Sequence, residues 1–182
     1  MHGIVFDQLR EFTQAGYGDD AWRAMIASVP DRGVYYVSED YPDQELEQLL
    51  SVAESLTGSP RNGLLFEFGT FIVSGLLQLY GVLLDPKWDL LELLENVEGT
   101  IHRVVRLRHP GARPPYLSTA RTGSDQVSIF YDSPRKMCWL GKGIIQGLQI
   151  HYEERVTIVD ETCMHKGDDI CTIAVRRRSG SF

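Results

Sequence analysis

A chain of 182 residues with 24% charged and 43% hydrophobic residues has the composition of an ordinary globular domain, able to bury a core and a small cofactor. A net charge of −7 argues against a nucleic-acid binder. No apolar run approaches the roughly 20 residues that span a membrane, the N-terminus shows no signal peptide, and three cysteines suggest no secreted disulfide framework, so a cytoplasmic location is expected.

From Gly3 to about Ala15, apolar Ile4, Val5, Leu9 and Phe12 recur at helical spacing. Tyr17-Gly18 ends that helix, and Asp19 or Asp20 can cap a short second one carrying Trp22, Met25 and Ile26. Pro30 to Gly33 reads as a turn, and Val34 to Val37 is too short to assign. Pro42 opens a helix through Leu56 with Leu46, Leu49, Leu50, Val52 and Ala53 as its buried stripe. From about Pro60 to Leu84 the pattern is helical and strongly apolar, through Leu64, Leu65, Phe68, Phe71, Ile72, Gly75, Leu76 and Leu79. Such a segment is either a core helix or one wall of an apolar pocket.

A single amphipathic helix is expected from Trp88 to about Arg108, with Leu90, Leu91, Leu94, Val97, Ile101, Val104 and Val105 on its apolar face. His102 lies near the edge of that face. It is either a hydrogen-bonded boundary residue or a metal ligand, and a neutral imidazole facing an apolar cavity is how a protein holds heme iron from one side.

After Pro114-Pro115 the pattern changes to strand-like runs, Tyr116 to Thr122 and Gln126 to Tyr131. Ser133-Pro134 then reads as the start of a helix running to about His151, followed by Glu154–Val159 and Ile170–Arg176. Helices first, then strands around one helix, predict an α+β fold with a small, about four-stranded antiparallel sheet. Tyr131, Ser133 and Arg135 gather a phenol, a hydroxyl and a guanidinium at that expected helix start. They form either a seat for a ligand's anion or an ordinary strand–turn–helix junction. Arg176 to Arg178 reads as a short solvated tail or a surface contact. No G-x-S-x-G, H-E-x-x-H or P-loop is present, so no enzyme is expected.

These residues carry a family resemblance. The M-x-G-I-V start, Tyr17-Gly18 with Trp22, Phe68-Gly69, Ile101-His102, Pro114-Pro115, Tyr131-x-Ser133-x-Arg135, the G-x-I-x-G-L run at Gly143 to Leu148 and Gly167-Asp168-Asp169 span nearly the whole chain. It resembles a stand-alone bacterial H-NOX protein, of the heme nitric oxide/oxygen-binding family that includes the sensor domain of soluble guanylate cyclase. The resemblance implies one domain over 1–182, with a helical subdomain over about 1–60 and a heme-ligating α/β subdomain over about 61–182. Heme b would be buried between them. His102 would be the iron ligand, Tyr131, Ser133 and Arg135 would bind the propionates, and Pro115 would press on the porphyrin.

Gas selectivity follows from the same likeness. Oxygen-binding members place a tyrosine over the iron where this chain has Leu140, with a tryptophan and an asparagine where it has Leu9 and Ser74. A pocket lined by Leu9, Val5, Leu140 and Ile144, with Ser74 as the one polar candidate, implies a sensor that binds NO (CO is also possible) and excludes O₂. Release of His102 from the iron would signal to a separate histidine kinase or to a diguanylate cyclase or phosphodiesterase. Cys138, Cys163 and Cys171 allow an alternative zinc or thiol redox sensor. Some members bind zinc through three such cysteines and a histidine; here Asp160 or His165 would be the fourth ligand, or the thiols would stand without metal.

Overall fold

The computed structural model describes residues 1–30 and 33–178, so the turn expected at Pro30 to Gly33 falls partly outside the described residues. Helix α1 (Gly3–Tyr17) is capped by the His2 ring, which accepts the Ile4 N–H, and stops at Gly18 with φ of 84°. Helices α2 (Asp19–Ile26) and α3 (Asp43–Thr57) follow, and the second ends at Gly58 in the left-handed region.

Helix α4 (Arg61–Tyr80) is the central element. With Gly81–Leu83 it is long and apolar enough to cross a membrane, where the sequence reading found no such run. In this fold it packs against α1, α3 and α7 (Cys138–His151), burying Leu64, Leu65, Phe68, Ile72 and Val73.

The helix expected over Trp88 to Arg108 is three pieces. Helix α5 (Leu90–Asn96) begins at a capping box made by Asp89 and Glu92. A π-helical turn, Glu98–His102, follows, and then α6 (Arg103–Arg108). The His102 N–H bonds the Val97 carbonyl five residues back at 3.0 Å. Hydrophobic spacing cannot reveal one inserted residue, and such π-turns recur at functional sites.

Strands β1 (Tyr116–Arg121), β2 (Gln126–Asp132), β3 (Val156–Thr162) and β4 (Cys171–Arg177) form an antiparallel sheet in the order β1-β2-β4-β3. The α+β expectation therefore holds. Arg176 and Arg177 are no loose tail. They close β4, and Arg177 pairs with Asp89 at 2.7 Å and Glu154 at 2.8 Å.

Two apolar clusters make up most of the core. One joins Leu90, Leu93 and Leu94 to the inner sheet face through Val127, Ile129, Ile173 and Val175. The other joins α1, α2 and α3 through Phe6, Leu9, Met25, Leu46 and Leu49 to Leu65, Phe68 and Ile72 of α4. Trp139 and Ile144 on α7 border both.

Candidate functional site

One cavity opens where these elements meet. Its wall takes Val5 from α1, Ile72 and Leu76 from α4, Ile101 and His102 from the π-turn, Pro114 and Pro115 from the following loop, and Leu140 and Ile144 from α7. The wall is overwhelmingly apolar; among the described residues its polar side chains are His2, Tyr80, His102, Arg113, Tyr131 and Arg135. Such a lining suits a large apolar ligand with a few oriented polar groups.

His102 is mostly buried, with its side chain 15% exposed. Its Nδ1 meets Glu98 Oε2 at 2.9 Å, so ligation of a metal by this ring would fall to Nε2. Burial pushes the His102 imidazole below its ordinary range, while Glu98 and the Pro115 carbonyl oppose that shift. A neutral imidazole is the form that ligates metal. Burial would push the Glu98 carboxyl up, but hydrogen bonds from Arg106 and His102 outweigh it and hold the carboxyl below its usual range.

The structure brings Tyr131 and Arg135 to the cavity wall but does not place them at a helix start. Helix α7 begins at Cys138, and residues 133–135 form a turn after β2 in which Ser133 Oγ accepts the Arg135 N–H at 3.3 Å. Lys136, with φ of 52°, breaks the continuity that Ser133-Pro134 had suggested. Tyr131 is held as acceptor from the Met137 N–H at 3.1 Å. Arg135 Nε donates to Asp43 Oδ2 at 2.8 Å, and its Nη1 donates to the Arg113 carbonyl. Ser133 is buried behind these two rather than on the wall.

Of the distal candidates, Val5, Leu140 and Ile144 line the cavity, and Pro115 does so from the loop. Leu9 and Ser74 do not. Leu9 turns into the cluster of α1, α2 and α3, and Ser74 is exposed on the outer face of α4, with its hydroxyl toward the Phe71 carbonyl at 3.4 Å. The tyrosine hydroxyls at the wall lie elsewhere: Tyr80 packs with Val105 and Ala112, and Tyr131 is engaged as above.

Cys138, Cys163 and Cys171 are buried and unpaired, with Sγ atoms within 4.8 Å of one another. Two of these separations are 3.9 Å, close to the roughly 3.8 Å edge of a tetrahedron with 2.3 Å Zn–S bonds. Neither proposed fourth ligand joins them. Asp160 pairs with Lys142 at 2.8 Å, and His165 Nε2 is 2.6 Å from the Lys136 carbonyl on the surface. Burial pushes the Cys138 and Cys171 thiols up, away from the thiolate that a thiol redox sensor needs.

Two residues at the site escaped the sequence reading. Glu98 stands four residues before His102, a spacing that places it on the same helical face, and that signal was available. His2 gave none. It is 7% exposed on the cavity wall, and its ring lies edge-on to His109 with centroids 4.0 Å apart.

Fold and site together define a class: a mixed α and β domain enclosing an apolar pocket, with the His102 imidazole on a π-helical turn and the Arg135 guanidinium at its wall. That donor set fits heme. A match to the haem-NO-binding family runs over residues 2–160, and the chain belongs to that family. No curated protein matches it. Among solved structures, it is similar to an H-NOX protein from S. oneidensis in the Fe(II)NO ligation state, at 24% identity, TM-score 0.92 and coverage of 98% of this chain and 100% of that one. The unliganded Fe(II) H-NOX protein from K. algicida matches at 23% identity and TM-score 0.89, over 100% and 99% of the two chains. An oxygen-binding H-NOX domain related to soluble guanylate cyclases, solved as its oxygen complex, matches at 22% identity and TM-score 0.83, over 100% and 97%. These likenesses show the H-NOX fold.

Proposed function

We propose that this protein is a heme-based sensor of NO that does not hold O₂. The observation that carries the reading is His102: an imidazole on a π-helical turn at the wall of an apolar cavity, with its Nδ1 bound to Glu98. The other imidazole at the wall, His2, likewise has its Nδ1 bonded and its Nε2 without a hydrogen-bond partner, but its ring packs edge-on against His109 and belongs to the α1 cap. Heme b, when bound, supplies the ferrous iron at which NO is taken. Arg135 and Tyr131 would bind its propionates, a role supported by their position on the cavity wall, with Ser133 accepting the Arg135 N–H in the turn that carries them.

Selectivity rests on what surrounds Leu140. Bound O₂ gathers negative charge that a nearby donor stabilises, and Val5, Leu140 and Ile144 offer none. With Ser74 outside the cavity, the polar candidate of the sequence reading is removed, which favours exclusion of O₂. NO needs no such donor, and CO is a second expected ligand.

The signal is mechanical. Were His102 released from the iron, the π-turn and α6 that carry it would be free to shift together with the Pro115 loop that Arg106 ties to them, biasing a two-state chain. As the family resemblance implies, output passes to a histidine kinase or cyclic-di-GMP enzyme. Unpaired thiols suit a reducing, cytoplasmic setting. Substitution of the two imidazoles tests the site. His102→Gly is expected to lose heme on purification and regain it with free imidazole, whereas His2→Gln keeps it. Heme retained by His102→Gly without imidazole would contradict the assignment.

A further inference from the structure

We infer that Glu98 is a positioning residue for the iron ligand, setting how strongly His102 holds the metal and hence how readily NO displaces it. The inference rests on the heme reading above and deepens it. Glu98 Oε2 meets His102 Nδ1 at 2.9 Å and accepts the Leu117 N–H at 3.3 Å. Oε1 takes Arg106 Nη1 at 2.6 Å, and Arg106 Nη2 donates to the Pro115 carbonyl at 3.3 Å. The carboxylate is thus held by three donors from three places: the π-turn, α6 and the start of β1. A carboxylate fixed in this way selects the Nδ1–H tautomer of His102, which leaves the Nε2 lone pair for iron. It also draws on the Nδ1 proton, so Nε2 becomes more electron-rich and a stronger donor.

Arg106 works in the opposite sense. Its guanidinium competes for the same carboxylate and weakens the pull of Glu98 on the imidazole. The strength of the iron–histidine bond is therefore a balance struck outside the pocket, at half-exposed groups. The same bonds tie His102 to Pro115 and to Leu117 at the sheet edge. Movement of the histidine is passed through Glu98 to both.

Resonance Raman spectroscopy of the ferrous holoprotein reads this balance as the Fe–His stretching frequency. Glu98→Gln keeps an acceptor but removes the charge; the frequency is expected to fall, NO to give a larger five-coordinate share, and heme transfer to apomyoglobin to quicken by about 10-fold. Arg106→Gln leaves Glu98 in place and is expected to raise the frequency. Opposite shifts are a signature that a merely structural loss does not produce, and Arg106→Gln decides the matter alone if Glu98→Gln fails to fold. An unchanged frequency in Glu98→Gln, no rise in Arg106→Gln, or shifts of one sign in both overturn the inference and leave the heme reading intact. Absence of any Fe–His band in the parent protein overturns both.

Discussion

At the residue scale, His2 shows how a buried imidazole couples this fold to pH. Burial first, then the neighbouring His109 and the Met1 ammonium, push its pKa down to about 4, with Asp40 opposing. An unfolded chain binds that proton near pH 6.5. Between those values the unfolded state holds more protons than the folded one, so His2 contributes stability above the unfolded value that is lost as pH falls. The thermal midpoint of the parent is expected to drop between pH 7 and pH 5 more steeply than that of His2→Gln, followed by circular dichroism; parallel curves would contradict this. Site residues differed in how legible they were. Tyr131, Ser133 and Arg135 stood out because their residue types fall at fixed short spacing, and that spacing survives whether the backbone is a turn or a helix. Ser74 and Leu9 were set at the pocket by the family likeness alone; for Ser74 the sequence offers no check, because Phe71, Ile72 and Val73 make α4 apolar on most sides and spacing does not say which face meets the cavity.

At the element scale, the contact between α4 and α7 fixes where Leu140 hangs. A Cβ on Gly143 would stand 2.1 Å from the Phe66 carbonyl and 2.9 Å from Gly69 Cα, so the helices touch backbone to backbone. Gly143→Ala is expected to destabilise the protein by about 1–3 kcal/mol through overpacking. Gly141→Ala, two residues away with nothing within 4 Å of its Cβ, should be neutral or stabilising. Urea unfolding of the two variants checks the contrast, and equal midpoints would refute the close-packing account. Periodicity located α1 and α3 by their buried stripes, while α4 showed as one long apolar segment and the four strands as short runs bounded by turn residues. It failed at the π-turn and at the start of α7, where a single backbone irregularity, not a change of side-chain pattern, ends the element.

At the scale of the whole molecule, Asp43 joins the helical N-terminal part to the turn after β2. Its carboxylate takes Arg135 Nε at 2.8 Å and lies 3.1 Å from the Met1 ammonium. Burial works against its charged form, but Arg135 and the N-terminus together lower its pKa. Asp43→Asn leaves the largely buried Arg135 side chain without its carboxylate. The expected loss is about 1–2 kcal/mol, at the low end for a charge-assisted bond because Asp43 is partly exposed. The same variant should release heme faster, since Arg135 is then less fixed at the pocket rim; an unchanged rate of transfer to apomyoglobin would argue against that role. The pocket is probed most directly by an anaerobic absorption spectrum of the reduced holoprotein, recorded again after NO and, separately, in air. A five-coordinate ferrous spectrum that changes with NO and forms no oxygen complex in air is expected. A stable oxygen complex would contradict the reading of Leu140, and a protein that takes up no heme on reconstitution would contradict the function.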